Sequence, residues 1–218
     1  MPDLVSEPEL SPQAAAVAGS AEPAARKRPK PGERRVQILQ VLAAMLEQPG
    51  AERITTSALS ARLGVSEAAL YRHFASKAQM FEGLIEFIEQ SVFTLVNQLA
   101  ERERDPAARN RKLVVMVLQF GEKNPGMARV MVGDALVFEN ERLQERMNQF
   151  FDKLESGLKQ NLRDAAAAAG DATPMADAQV RASVIVAFIV GRLQRFARSG
   201  FRRLPSEHLE ASLATILD

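Results

Sequence analysis

The chain contains no cysteine in 218 residues, which excludes disulfide cross-links and thiolate metal sites and suits a reducing cytoplasm. Histidine is scarce too. His73 and His208 are the only two, and neither stands in a recognisable metal or nucleophile arrangement. No glycine-rich phosphate loop follows a strand, so no catalysis, metal or cofactor is expected. Long apolar runs are also missing. The longest, Val184 to Val190, has seven residues, against the ~20 of a membrane-spanning helix. The amino terminus (Met1-Pro2-Asp3-Leu4-Val5-Ser6-Glu7) lacks the basic start and apolar stretch of a secretory signal. A soluble, intracellular protein without membrane association is expected.

What is present is a core-forming composition and an uneven distribution of charge. Hydrophobic residues make up 46% of the chain and charged ones 25%, enough for a packed interior under a solvated surface. The net charge of +1 conceals three zones. Residues 1–23 carry four acids and no base, residues 24–80 carry ten bases against four acids, and residues 81–218 are nearly balanced. Positive charge confined to one stretch is expected where a single module meets a polyanion. Residues 1–25, rich in Ala, Pro, Ser and Glu without apolar periodicity, read as a disordered tail. The basic run Arg26-Lys27-Arg28-Pro29-Lys30-Pro31, with Arg34 and Arg35 beyond it, has two readings: a solvated flank, or an arm lying along phosphates or in a minor groove.

Beyond residue 32 the apolar period is helical throughout, so the expected class is all-α. Ile38, Leu39, Leu42, Met45 and Leu46 mark a first helix that stops at Pro49-Gly50. A second runs from Thr56 to Leu63, a third from Ser66 to near Phe74, and a fourth from Ser76 to about Arg102. A capping box, Ser76 with Gln79, opens the fourth. Asp105-Pro106 opens a fifth helix ending at Asn124-Pro125-Gly126. A short sixth is expected over Met127 to Val132. The seventh carries Leu143, Met147, Phe150, Leu154, Leu158 and Leu162, the eighth spans about Ala178 to Arg198, and Pro205 opens a ninth. The division expected is a tail (1–25), a basic arm with a DNA-binding module (26–80) and a helical body (81–218).

The stretch from Ile54 to Phe74 carries the functional signal. Two short helices joined by a glycine turn form a helix-turn-helix, whose second helix enters the major groove of double-stranded DNA. Gly64 lets the backbone leave the second helix, Ser66 can cap the third, and Val65 against Leu70 would staple it. Leu59, Leu63, Leu70 and Phe74 are assigned to core. Ala68 and Ala69 allow close approach and can touch thymine methyls. Glu67 is either an acceptor for a cytosine amine or a first-turn acid favoured by the helix dipole. Tyr71, the only tyrosine, with Arg72 and His73, reads as phosphate or base contacts rather than a solvated trio. Thr55, Thr56 and Lys77 stand at helix starts, where phosphates are commonly held.

These residues support a resemblance. Thr55-Thr56, Leu63-Gly64-Val65-Ser66, Leu70-Tyr71-Arg72-His73-Phe74 and Ser76-Lys77 resemble the DNA-binding module of the TetR family of bacterial regulators. The nine-helix count resembles that family's whole fold. Val65 to Phe74, Leu84 to Glu89, Phe120 to Gly126 and Ala135 to Glu139 are similar, more narrowly, to the nucleoid occlusion members of the family. The resemblance covers about residues 33–218. It implies a homodimer bound at chromosomal sites, and so associated with the nucleoid, that antagonises the tubulin-like division protein FtsZ.

The family pairing implies dimerisation through helices eight and nine, with Val184, Phe188, Gly191, Arg192 and Arg195 at the interface. On helix four, Phe81, Leu84, Ile85, Ile88, Val92, Leu95, Val96 and Leu99 share one core-facing arc, and Phe87 lies about 120° from its centre, where it either packs on another helix or serves a separate contact surface. The resemblance implies that Phe87, with Lys123 and Asn124, meets FtsZ. Gln119 and Met116, one and two turns before Lys123, extend this surface, and Leu95 stands where those members carry a basic residue. The rival reading is a TetR-type transcriptional repressor released by a small apolar ligand held among helices four to eight.

Overall fold

A computed structural model describes residues 32–48, 53–170 and 174–217, and among them the structure is entirely helical. The tail 1–25, the basic run 26–31 and the stop at Pro49-Gly50 lie outside the described residues. Nine helices follow in order: α1 (Glu33–Leu46), α2 (Thr56–Leu63), α3 (Glu67–Tyr71), α4 (Lys77–Arg102), α5 (Pro106–Lys123), α6 (Pro125–Met131), α7 (Glu141–Ala168), α8 (Pro174–Arg198) and α9 (Leu209–Leu217). Side chains define most of the starts. Thr55, Ser66, Ser76, Asp105 and Asn140 each accept a hydrogen bond from a backbone N–H of the turn they cap, satisfying donors that a helix leaves unpaired.

The expected boundaries shift where local chemistry competes with period. Helix α3 stops at Tyr71 rather than near Phe74, because the His73 N–H turns back only three residues, to the Leu70 carbonyl at 2.9 Å, and breaks the four-residue ladder. Pro125 and Pro174, not Met127 and Ala178, begin α6 and α8, consistent with proline's pre-set φ at a first helical turn. Pro205 does not open α9. Residues 205–208 form turns, and His208 adopts a φ of 53°, which α-helix cannot accommodate, so α9 starts at Leu209. At α4 the cap is offset by one residue. Ser76 accepts from Gln79 N–H at 3.2 Å, but Gln79 Oε1 accepts from Ala75 N–H, at 2.8 Å, rather than from Ser76.

One continuous core runs from α1 to α9, through Ile38, Leu42, Leu70 and Phe74, then Phe81, Leu84 and Ile88, to Phe150, Ile189 and Leu213. The boundary drawn at residue 80 falls inside the unbroken helix α4. Along that helix the arc is buried as far as Val92, and then opens. Val96 and Leu99 are half-buried, and Leu95 is 40% exposed, a correction to its place in the core. The second half of the α4 seam uses Phe93 instead, which meets the edge of Phe150 with ring centres 5.4 Å apart. Two ion pairs hold α4 to α7. Arg146 grips Glu89 through two bonds of 3.1 and 2.6 Å, and Arg142 meets Glu82 at 2.7 Å. The hydrogen bond to Glu89 raises the pKa of Arg146 further, so this clamp keeps its charge.

Helix α6 joins the two halves. It packs on α1, α4, α5 and α8, and its approach to α1 is very close. A Cβ built on Gly126 would lie 2.2 Å from the carbonyl oxygen of Ala43. Read from sequence as a helix stop, Gly126 is therefore the point where the body touches the backbone of the DNA-binding module.

Candidate nucleic-acid interface

The site is assembled from a cap, a turn and a second cap. The Thr55 hydroxyl accepts from Ala58 N–H at 3.1 Å and starts α2. Gly64 ends it in left-handed geometry (φ 65°), with Gly64 N–H bonded to Ala61 O and Val65 N–H to Ser60 O. This paired closure favours glycine at that position. Two residues on, the Ser66 hydroxyl accepts from Ala69 N–H at 3.3 Å and starts α3. Leu70 and Phe74 are fully buried and anchor the inner face of α3. The outer face then presents Ala68, Tyr71 (45% exposed), Arg72 and His73 to solvent, with Ala69 half-buried at its edge. A short helix with small residues in front and a tyrosine, a guanidinium and an imidazole behind is suited to lie in a groove and hold its walls.

Several residues assigned to DNA have internal partners. Thr56 Oγ1 donates to the Glu67 carboxylate at 2.7 Å, bracing the start of α2 against the first turn of α3. Glu67 therefore has a structural role in the turn. Arg35 Nη1 donates to the His73 carbonyl at 2.8 Å, and its guanidinium lies 4.0 Å above the centre of the Phe74 ring. It holds the end of α3 in place from α1. Arg34 donates to Gln37 at 2.7 Å and stays at the surface.

Lys77 pairs with Glu139 of the α6–α7 connection, and its ammonium also lies 5.6 Å from the Phe81 ring centre. Sequence spacing gives no sign that Glu139 is the partner of Lys77, since nothing in a local pattern links residues 62 apart. Its side chain is only 9% exposed, so removing the cation leaves a nearly buried carboxylate unpaired. Lys77→Ala is expected to cost about 1–3 kcal/mol of stability, while Lys77→Arg retains it. Thermal melts check this. In parallel DNA titrations, a salt slope unchanged by Lys77→Ala assigns the ammonium to this joint alone, and a fall of about one assigns it to a phosphate as well.

Two further surfaces lie on the body. Phe87 is 47% exposed, Gln119 and Lys123 are exposed and Met116 is half-buried, on helices α4 and α5 that pack together. Asn124 is shared by the end of α5 and the start of α6, its amide donating to the Phe120 carbonyl at 2.8 Å. On α8, Val180 and Val184 are exposed, Phe188 is half-buried, and a Cβ on Gly191 would meet nothing. Arg195 is exposed on this helix. Arg192 is not free, since it donates to the Glu207 carbonyl and the Ser212 hydroxyl at 2.8 and 2.7 Å and lies against Phe188. Val137 and Phe138, beside Glu139, are the most exposed large apolar residues among those described.

Comparison with known proteins agrees with this geometry. Residues 38–84 match the family described as bacterial regulatory proteins, tetR family, and residues 104–217 match the tetracyclin repressor-like, C-terminal domain of SlmA-like type. The nucleoid occlusion factor SlmA of Aliivibrio fischeri is 50% identical over 181 residues, 83% of this chain and 92% of that protein. That of Idiomarina loihiensis is 48% identical over 178 residues, 82% and 90% of the two chains. Among solved structures, the fatty acid degradation regulator FadR from Bacillus halodurans superposes with a TM-score of 0.69 over 87% of this chain and 97% of its own, at 16% identity. The regulator PfmR from Thermus thermophilus gives 0.65 over 84% and 95%, at 20% identity. At such identities these two show the fold alone. The chain belongs to the TetR family of bacterial regulators and, within it, to the nucleoid occlusion factor SlmA group.

Proposed function

We propose that this chain is a dimeric, sequence-specific DNA-binding nucleoid occlusion factor, which at chromosomal sites prevents FtsZ from assembling a division ring. The observation that carries the reading is the likeness to SlmA proteins, which spans the module and the body together. In this reading Ala68, Ala69, Tyr71, Arg72 and His73 face the groove, while Thr55, Thr56 and Ser66 bring helix starts to the phosphates. Arg34 and the run from Arg26 to Lys30 add charge alongside. Val184, Phe188, Gly191 and Arg195 lie at the two-fold seam. Phe87, Met116, Gln119, Lys123 and Asn124 form the face for FtsZ. The exposure of Phe87 supports it, because an aromatic ring left out of a core in which Phe81 and Leu84 are fully buried is a common mark of a contact surface.

The test is separation of function. Phe87→Ala and Lys123→Asp are expected to fold, dimerise and bind DNA as the parent does, yet to lose DNA-dependent binding of purified FtsZ by at least about tenfold. Co-sedimentation with FtsZ polymers, with and without specific DNA, reads this directly. Full FtsZ binding by both variants overturns the partner assignment. Release of DNA by a small ligand, with no FtsZ binding, would favour the repressor reading instead.

A further inference from the structure

We propose that the arginines ending α8 form a second basic surface, on the body rather than the module, which draws duplex DNA into the gap between the two modules of the dimer. The inference rests on the dimeric, DNA-binding reading and adds to it a surface outside the helix-turn-helix. Its starting point is a concentration of charge. Residues 192–203 hold five arginines and no acid, while the rest of residues 81–218 carries thirteen bases against nineteen acids.

Topology decides where this charge lies. Helix α4 leaves the module, α5 returns to it, α7 leaves again and α8 returns, so the end of α8 is on the module side of the body. Three contacts fix it there. The Arg129 guanidinium of α6 lies 5.0 Å from the centre of the Phe201 ring, Arg129 donates to the Gln48 carbonyl just beyond α1 at 3.4 Å, and the Ser206 N–H donates to Glu122 near the end of α5 at 3.2 Å. The turn itself is firmly held. Phe201 takes a left-handed φ of 64°, with its N–H on the Phe196 carbonyl at 2.9 Å. The Ser199 hydroxyl accepts from the N–H groups of Arg202 and Arg203 at 3.1 and 2.9 Å.

A run of surface arginines is most often only solvated, but two features argue for a polyanion here. Elsewhere on the body cations meet acids, as Arg142 meets Glu82, Arg146 meets Glu89 and Lys112 meets Glu103. Among the described residues, Arg195, Arg198 and Arg203 are exposed and have no ion-pair partner. Arg202 donates to the Ser199 carbonyl at 2.9 Å, and Glu207, the acid of the same concavity, lies 3.8 Å from His208. The second feature is the face they occupy. Arg198 follows Val184 and Gly191 at seven-residue steps on α8, and Arg195, Arg202 and Arg203 share an open concavity with Phe188 and Gly191. Pairing through that face brings two sets of unneutralised guanidinium groups together about the two-fold axis. On a symmetric site that axis passes through the duplex between the half-sites. The paired patches then face this linking DNA from a gap walled by the two modules. A cleft lined by one sign of charge concentrates the field and speeds capture of the opposite charge.

The test is stopped-flow association with a fluorescent duplex carrying a chromosomal site selected by the parent protein. For Arg198→Gln with Arg203→Gln, the association rate constant is expected to fall about tenfold at roughly 0.1 M salt, where charges act over ~10 Å, and the deficit to shrink as salt rises. Dimer mass, melting and dissociation rate stay as in the parent, and Arg198→Lys with Arg203→Lys keeps the parent's association rate. Arg202→Gln with Arg203→Gln, both past the end of α8, decides the matter if the first pair weakens the dimer. Parent-like association by folded, dimeric glutamine variants overturns the proposal. So does a loss confined to the dissociation rate, which would make these residues contacts of the docked complex. It is also overturned if the arginines are needed for binding to vesicles of phosphatidylglycerol and phosphatidylcholine but not for association with DNA. A parent that binds no duplex defeats the DNA-binding reading as well, whereas a parent that binds while the variants associate as fast defeats this inference alone.

Discussion

Phe188→Asp is expected to convert the protein to a monomer and to lower its affinity for specific DNA by about three orders of magnitude, toward non-specific binding. The mutated residue is on α8, far along the chain from α3, so the loss comes through assembly. A lone helix-turn-helix makes few contacts, and paired modules must reach half-sites about 34 Å apart. In the proposed dimer the solvent side of α8 forms the seam. Val180 and Val184 are 62% and 51% exposed, Phe188 is half-buried, and the open space over Gly191 lets a second helix approach closely. Such a stripe is costly in water and stabilising against its own copy. Because Phe188 also packs on the core, Val184→Asp is the companion variant, since that side chain serves no core contact. Sedimentation equilibrium and fluorescence anisotropy on both proteins provide the check. Two folded variants that stay dimeric and bind DNA as before would place the interface elsewhere.

Gly126→Ala is the second substitution with a large expected effect. One methyl group placed 2.2 Å from the carbonyl oxygen of Ala43 meets backbone, not a side chain that can swing aside. Helices α1 and α6 must separate, and the contacts that Met127, Val130 and Leu46 make as part of the shared core loosen with them. Forcing a group into a packed seam costs about 3 kcal/mol, which for a chain of this length is a fall in Tm of roughly 10 °C. DNA binding is expected to weaken as well, because this seam sets the angle of the module to the body and therefore the spacing of the two reading heads. Gly157→Ala is the control. It lies inside α7 with nothing within 4 Å of the added Cβ, so it should stabilise by about 0.5–1 kcal/mol. Equal melts for the two variants would show that Gly126 is not a close-packed contact.

The features that were legible in the sequence are those written over short distances. Helix periods, the caps at Thr55, Ser66, Ser76 and Asp105, and the turn at Gly64 each depend on residues within a few positions of one another. The helix-turn-helix was visible for that reason, as was the departure of Phe87 from the buried arc of α4. Where neighbouring turns outweigh a local signal, as at Pro205 before the left-handed His208, the boundary read from sequence moves.

Long-range partners had no such signature. Sequence spacing placed Lys77 at a helix start, which suggests a phosphate; the fold brings Glu139 to it from 62 residues away. Arg35 reads as part of a basic arm, yet in three dimensions it holds the carbonyl of His73. Leu95 shares the angular arc of its buried neighbours, but no helix covers that end of α4 as fully as the first half, and it stays 40% exposed. The hydrogen bonds by which Asn161 of α7 accepts from Arg109 at 3.0 Å and donates to Asn110 at 3.1 Å likewise form only once α5 and α7 lie side by side. Amino-acid sequence by itself determined the all-helical class, the reading head and the family, because backbone hydrogen bonds and caps are satisfied locally. Tertiary structure alone decided which charges are paired, which apolar residues remain outside and where a glycine is required, because those depend on surfaces that distant segments bring together.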